Sequence, residues 1–227
     1  DVGGPTANMY GFDCRQKASR GACASRRCLG NSVCRELPVD HHRQTRLLAR
    51  LRKIPGIRHV FVASGVRHDL ILADTDNGRR YLESLLAHHV SGQLKIAPEH
   101  SEDHVLALMG KPPADGSRRF IALFEQTVRK LGVRRYLSCY FIAAYPGCRI
   151  DDMQALKRFT GKMLGFTPEH IQIFTPTPST VATYMYYTER AFPEDRAIFV
   201  EKRARQKQAQ KDAVQASGRN AGRRKPG

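Results

Sequence analysis

Four cysteines near the amino terminus are the side chains in this sequence best suited to chemistry. They are spaced C-x8-C-x4-C-x5-C and comprise Cys14, Cys23, Cys28 and Cys34. Four thiolates can form the tetrahedral ligand set of Zn²⁺ or hold an iron–sulfur cluster. The spacing lacks the tight C-x2-C knuckle of the strongest motifs, so reduced structural thiols remain the alternative to one shared metal centre.

The expected compartment favours these two interpretations over disulfides. The sequence shows no signal-peptide pattern and no apolar run long enough for a membrane span, so we expect a cytoplasmic protein without a membrane partner. Disulfides are rare in a reducing cytosol, where clustered cysteines more often bind a metal or do redox work.

Positive charge is the second feature of the composition. The net charge is +17, and segment 201–227 contains nine Lys and Arg against two acidic residues. Such a segment predicts a basic, disordered tail. A basic chain with a cysteine cluster also fits a zinc-bound, nucleic-acid-associated module without catalytic activity, which stays open as an alternative function.

Other potential ligands are less distinctive. Four histidines form one such set, His88, His89, His100 and His104. No spacing among them matches a known ligand motif, so we favour surface histidines. Cys139 falls within a predicted strand and is expected in the core, whereas Cys148 follows a Pro-Gly turn that could face a site.

Alternating strands and helices must position these side chains. Short apolar runs predict strands over 57–63, 93–97, 136–144 and 171–174. Helical patterns lie between them, over 78–89, 103–109, 120–131 and 151–164. This order indicates a parallel sheet in one α/β domain over residues 1–200, with a cysteine-rich insertion at 14–34. Periodicity alone leaves a barrel, part of a barrel and an open doubly wound sheet as alternatives.

The carboxyl ends of the strands are where ligands bind in either architecture. These ends are rich in Gly, Pro and polar residues, as in Gly3-Gly4-Pro5-Thr6, Ser64-Gly65-Val66-Arg67 and Pro98-Glu99-His100. Gly and Pro also simply turn the chain. Several such loops on one edge nevertheless favour a binding site there.

Four stretches resemble, in order, the radical S-adenosylmethionine superfamily and, more narrowly, its YgiQ-like (UPF0313-type) proteins. They are DVGGPTANMY, LKIAPEHSEDHVLALMGKP, YFIAAYPGCRIDDM and IQIFTPTPSTVATYMYYT, which resemble the segments at the second, fourth, fifth and sixth barrel strands. The cysteine-rich segment also matches the YgiQ-like pattern in position and spacing. The resemblance covers residues 1–205.

The resemblance implies a partial TIM-type (β/α) barrel that forms the C-terminal part of a radical enzyme's core. The superfamily's C-x3-C-x2-C motif, which holds the catalytic [4Fe–4S] cluster, is absent from this chain, and we expect it upstream of Asp1. The implied activity is generation of a 5′-deoxyadenosyl radical from S-adenosylmethionine, with an electron donor and an unidentified substrate. A truncated barrel fragment without activity is a further alternative.

Roles for strand-end residues also follow from the resemblance. It implies that the methionine amino group of the cofactor contacts a glycine-rich turn, formed by Gly3, Gly4, Pro5 and Thr6. Many relatives carry Glu where Pro5 stands. Glu99 would bind the ribose hydroxyls and Lys111 the methionine carboxylate. The remaining cofactor candidates are Ser64 and Arg67, and no catalytic residue can be identified.

Overall fold

A small parallel sheet organises the fold of this chain. The computed structural model describes Cys14, Ser19, Cys23 and residues 27–215. Its three strands are β1 (Gln93–Glu99), β2 (Tyr136–Ala143) and β3 (His170–Ile173), in the order β1-β2-β3. All pairs are parallel, and the described sheet is open. The predicted α/β class is confirmed, and this open sheet is compatible with part of a barrel.

Burial alternates along the strands and thereby sets which face meets the helices. In β1, Leu94 and Ile96 are buried while Lys95 between them is half-buried. Leu94 lies opposite Leu137 and Ile96 opposite Cys139, so these apolar side chains share one face. Cys139 therefore lies in the core, as the sequence predicted. The pairing of β1 with β2 shifts register between Ile96 and Glu99.

Helices follow or precede every strand. In chain order they are α1 (His42–Leu51), α2 (His68–Ala73), α3 (Gly78–Ser84), α4 (Asp103–Met109), α5 (Ala114–Leu131), α6 (Ile150–Met163), α7 (Val181–Thr188) and α8 (Ala204–Gln215). A π-helical turn, Leu85–His89, extends α3. Each of the four predicted helices is confirmed. None of the described helices combines the length and apolar character needed to cross a bilayer.

Helix α5 illustrates how the local sequence dictates these elements. Its buried residues include Phe120, Ile121 and Phe124, which form an apolar stripe at helical spacing. The helix ends at Gly132, whose φ of 63° is left-handed, a conformation that favours glycine. The apolar stripe packs α5 onto the core, while the charged residues remain in solvent.

The first predicted strand is absent from the described chain. Residues 57–63 contribute a single bridge residue, Val62, instead of a continuous ladder. Val60 and Val62 are nevertheless buried, and the Val62 N–H donates to His89 O at 2.9 Å. Parallel pairing with β1 is limited to one bridge between Val66 and Ile96. An apolar run predicts burial, but strand formation also needs a partner in register.

The prediction of a disordered tail from residue 201 is wrong for 204–215, which form helix α8. Val214 and Gln210 of this helix are buried. Gln210 Oε1 accepts the Ala144 N–H at 3.0 Å, and Gln215 Nε2 donates to Glu169 O at 3.2 Å. Polar contacts of this kind leave no apolar signature in the sequence, which is why composition alone indicated disorder. Residues 216–227 lie outside the described residues.

Candidate functional site

Glu99 stands at the carboxyl end of β1, the position at which ligands bind in parallel α/β folds. It follows the register shift in β1 and has a left-handed φ of 70°, which is uncommon for a residue other than glycine. Burial raises the pKa of the Glu99 carboxyl, and the neighbouring Lys111 charge opposes this effect. An acid held in a special backbone conformation at a strand end is a recurrent feature of functional sites.

Lys111 pairs directly with Glu99. The distance from Lys111 Nζ to Glu99 Oε1 is 3.3 Å, and both side chains are largely shielded from solvent. Helix α4 ends at Gly110, whose left-handed φ of 65° turns the chain so that the Lys111 N–H donates to Leu106 O at 2.9 Å. This turn brings Lys111 to the strand end, so the structure brings together these two predicted site residues.

Arg67 lies close to this ion pair and is held by Asp69. Arg67 Nε donates to Asp69 Oδ1 at 2.8 Å, and a second guanidinium nitrogen contacts the other carboxylate oxygen. Burial acts to raise the pKa of Asp69, but the hydrogen bonds and charge of Arg67 outweigh it and lower that pKa. The acid keeps Arg67 in place, and Arg67 and Lys111 border the same cavity of about 30 Å³.

His68 and Ser117 complete the wall of this cavity and were missed from the sequence. His68 Nε2 lies 3.1 Å from Ser117 Oγ. Burial lowers the pKa of His68 to about 4, and the charges of Lys111 and Arg67 act in the same direction. His68 is therefore neutral at physiological pH. The signal available in the sequence was the run Arg67-His68-Asp69, in which three polar residues directly follow Val66 at a predicted strand end.

Ser64 lies two residues before Val66, which pairs in parallel with Ile96, so Ser64 lies beside the amino half of β1 and not beside Glu99 at its carboxyl end. Its hydroxyl is buried and has no hydrogen-bond partner within the described part of the chain. Most buried polar atoms in proteins have a partner, so this hydroxyl can still accept or donate a hydrogen bond.

An open cleft adjoins Glu99 on the exposed face of the sheet. Its volume is about 630 Å³, and its lining includes Tyr140, His170, Gln172 and Lys211. The rings of Tyr140 and His170 stack with centroids 4.6 Å apart. The volume lies in the range of ordinary cofactor pockets. Glu99 thus borders both the cleft and the charged cluster around Lys111.

The predicted four-cysteine centre is not assembled in the described residues. All four cysteines are partly exposed, and the Cys34 N–H donates to Cys28 O at 2.9 Å. Among the residues that the structure describes, the group of three or more potential ligands within 4.8 Å of one another contains none of these cysteines. The shared metal centre therefore stays a prediction. The glycine-rich turn, Gly3, Gly4, Pro5 and Thr6, lies outside the described residues.

The surface interpretation of the histidines is wrong for two of them. His89 and His100 are buried, with exposures of 1% and 0%. His89 Nδ1 lies 2.8 Å from Val60 O, and His100 Nε2 lies 3.5 Å from Cys148 Sγ. Burial raises the pKa of Cys148 to about 12, so its thiol is protonated. Hydrogen-bonded partners far apart in sequence allow these histidines to be buried.

Comparison with known proteins identifies relatives of the chain. It is 49% identical over 220 residues to a UPF0313 protein of Fusobacterium nucleatum, which corresponds to 97% of this chain and 39% of that protein. UPF0313 proteins of Methanosarcina mazei and Thermotoga petrophila are each 46% identical, over 187 and 188 residues. The chain spans 29% and 33% of these two proteins. No protein-family model matches the chain. The identity over most of its length supports membership of the UPF0313 family.

Proposed function

We propose that this chain is part of a radical S-adenosylmethionine enzyme and contributes to binding of the cofactor at the carboxyl ends of its strands. The observation that carries the proposal is the Glu99–Lys111 pair, with Arg67 lining a cavity beside Lys111. The resemblance of four stretches to the superfamily supports it independently. The substrate of the whole protein is unidentified.

The donor set fits the chemical groups of S-adenosylmethionine. A carboxylate such as Glu99 accepts hydrogen bonds from ribose hydroxyls, whereas Lys111 and Arg67 attract the methionine carboxylate. The unpartnered Ser64 hydroxyl offers a further donor or acceptor. The glycine-rich turn, Gly3, Gly4, Pro5 and Thr6, would accept the amino group through its backbone carbonyls.

Charge compensation is what these residues contribute to the chemistry. Glu99 and Lys111 neutralise each other, as do Asp69 and Arg67, so these four side chains carry balanced charge before the cofactor binds. His68 stays neutral beside them and adds no positive charge. When bound with a [4Fe–4S] cluster, S-adenosylmethionine supplies a 5′-deoxyadenosyl radical. The cluster ligands are proposed to lie upstream of Asp1.

The test uses the protein with its upstream segment, reconstituted anaerobically with iron and sulfide. We expect reductive cleavage of S-adenosylmethionine to 5′-deoxyadenosine. Lys111→Met and Glu99→Gln should weaken cofactor binding by about tenfold or more, since a charge-assisted hydrogen bond contributes about 1.5–3 kcal/mol. Equilibrium dialysis with labelled cofactor measures the affinity separately from turnover.

A matched ion pair elsewhere on the surface provides the control. Lys130 Nζ lies 2.7 Å from Glu83 Oε1, away from the strand ends. Lys130→Met and Glu83→Gln remove the same charges and should leave cofactor affinity unchanged. The proposal fails if the upstream segment lacks C-x3-C-x2-C, or if the Glu99 and Lys111 variants bind the cofactor as tightly as the control variants.

A further inference from the structure

A second group of potential ligands lies where helices α4 and α6 begin. Glu102, His104 and Asp152 each offer one ligand atom, and these atoms all lie within 4.8 Å of one another. His104 Nε2 is 3.3 Å from Asp152 Oδ1. A separation of this size between His104 and Asp152 is usual for two ligands of one metal ion, because metal–ligand bonds to nitrogen and oxygen are about 2.0–2.2 Å long.

Helix capping accounts for one oxygen of Asp152 and for neither oxygen of Glu102. Glu102 occupies the N-cap position of α4, yet its side chain makes no capping hydrogen bond. Asp152 uses only Oδ2 to accept the Arg149 N–H, at 2.7 Å, which leaves Oδ1 directed to His104. By contrast, the neighbouring Asp103 accepts the Ala114 N–H at 2.8 Å and is fully explained as a structural residue.

The charge around these carboxylates is also unusual for this chain. The sequence contains 38 Lys and Arg against 21 Asp and Glu. Within the described residues, however, neither Glu102 nor Asp152 has a lysine or arginine at ion-pair distance, and the side chain that faces Asp152 Oδ1 is the imidazole of His104. Two converging carboxylates repel each other unless a cation lies between them.

Hydrogen bonds from behind hold the ligands in place. Ser101 Oγ donates to Glu102 Oε1 at 3.1 Å, and the Glu102 N–H donates to His100 Nδ1 at 3.1 Å. The buried His100 ring in turn contacts Cys148. Partners of this kind orient metal ligands in known sites and contribute to metal affinity. Buried residues therefore orient Glu102, whereas His104 is exposed.

We propose that Glu102, His104 and Asp152 bind a divalent transition metal ion. One imidazole and two carboxylates suit Mn²⁺, Fe²⁺ or Zn²⁺, whereas Mg²⁺ and Ca²⁺ prefer oxygen ligands alone and Cu⁺ prefers sulfur. Three protein ligands leave a coordination position open for water or another ligand. The site uses none of the residues assigned to the proposed cofactor site and does not depend on it.

Manganese is the sharpest probe, because Mn²⁺ binds oxygen and nitrogen ligands and binds thiolates poorly. The four cysteines near the amino terminus therefore contribute little to the signal. Titration of the chain with Mn²⁺, followed by the electron paramagnetic resonance of the free ion, should reveal one bound ion per chain. Asp152→Asn and His104→Gln should weaken binding by about tenfold or more. The amide of Asn at 152 can still accept the Arg149 N–H, so the start of helix α6 is preserved.

Asp151→Asn provides the matched control. Asp151 lies in the same first turn of α6 and carries the same charge, but it is not part of the ligand group. Its substitution should leave Mn²⁺ affinity unchanged. Equal losses in the 151 and 152 variants would reduce the effect to general electrostatics and overturn the site. Absence of Mn²⁺ binding at about 1 mM, with Zn²⁺ uptake unaffected by the 152 substitution, would overturn it too.

Discussion

Replacement of Gln210 by alanine tests whether helix α8 is an integral part of the fold. Gln210 is 3% exposed and joins α8 to the end of β2 and the turn after it. Its Oε1 accepts the Ala144 N–H at 3.0 Å, and its Nε2 donates to Cys148 O at 3.3 Å. The Cys148 thiol also donates to Gln210 Oε1, with Sγ at 3.4 Å, so alanine keeps the helix favourable but removes three hydrogen bonds.

The size of the effect follows from these contacts. A buried N–H group without an acceptor costs about 1–3 kcal/mol, and loss of the longer bond to Cys148 O adds about 0.5–1 kcal/mol. We therefore expect the free energy of unfolding to fall by about 1.5–4 kcal/mol. For a chain of this length the melting temperature should decrease by roughly 3–16 °C.

Urea and thermal unfolding followed by circular dichroism measure this loss. Gln206→Ala is the control, because Gln206 lies in the same helix but is exposed, so helix propensity changes equally. Equal stability of the 206 and 210 variants would contradict the docking of α8. The basic C-terminal segment would then behave as the solvated tail that its composition indicates.

Three further predictions concern pH, the backbone and the cysteines. The pKa of His68 is lowered from 6.5 to about 4, so the free energy of unfolding should decrease as pH falls through this range. His68→Gln should flatten this pH dependence, measured by urea unfolding at a series of pH values. An unchanged pH dependence in the variant would contradict the prediction. Gly147→Ala should destabilise the fold by about 1–3 kcal/mol, because the φ of Gly147 is 91° and the new Cβ would lie 2.2 Å from Leu108 Cδ1. Gly161 lies on α6 with open space around it, so Gly161→Ala should be neutral or stabilising in the same assay. Similar effects at both positions would refute this. For the amino-terminal centre, serine is substituted in turn for each of Cys14, Cys23, Cys28 and Cys34, and each single variant should lose the metal measured by elemental analysis. Unchanged metal content in any one variant would exclude a shared four-thiolate site.

Local patterns explain why much of the fold could be predicted. Strands β1, β2 and β3 and helices α3 to α6 carry apolar residues at the spacing of their own secondary structure, so their positions follow from short stretches. The failures share one cause, which is that contacts between distant segments decide the outcome. Residues 57–63 are apolar but lack a continuous partner, and α8 is mostly polar but docks through the buried residues Gln210 and Val214.

For the candidate site too, the sequence predicted one part and only the structure decided the other. The chemistry of Glu99, Lys111, Ser64 and Arg67 could be assigned from their types, their place at strand ends and a family resemblance. Their arrangement could not, because the left-handed turns at Glu99 and Gly110 decide that Lys111 faces the acid. His68 was missed because its burial depends on Ser117, which lies 49 residues further along the chain.

The sequence by itself determined the α/β class, most element positions and the identity of the charged residues at the strand ends, since all of these depend on neighbouring residues. Only the tertiary structure decided which distant residues meet. Asp152 reaches His104 because α6 and α4 begin at the same edge of the sheet, and Gln210 reaches Ala144 because α8 packs beside β3. Such contacts arise from the register of strands and the docking of helices, which no local pattern encodes.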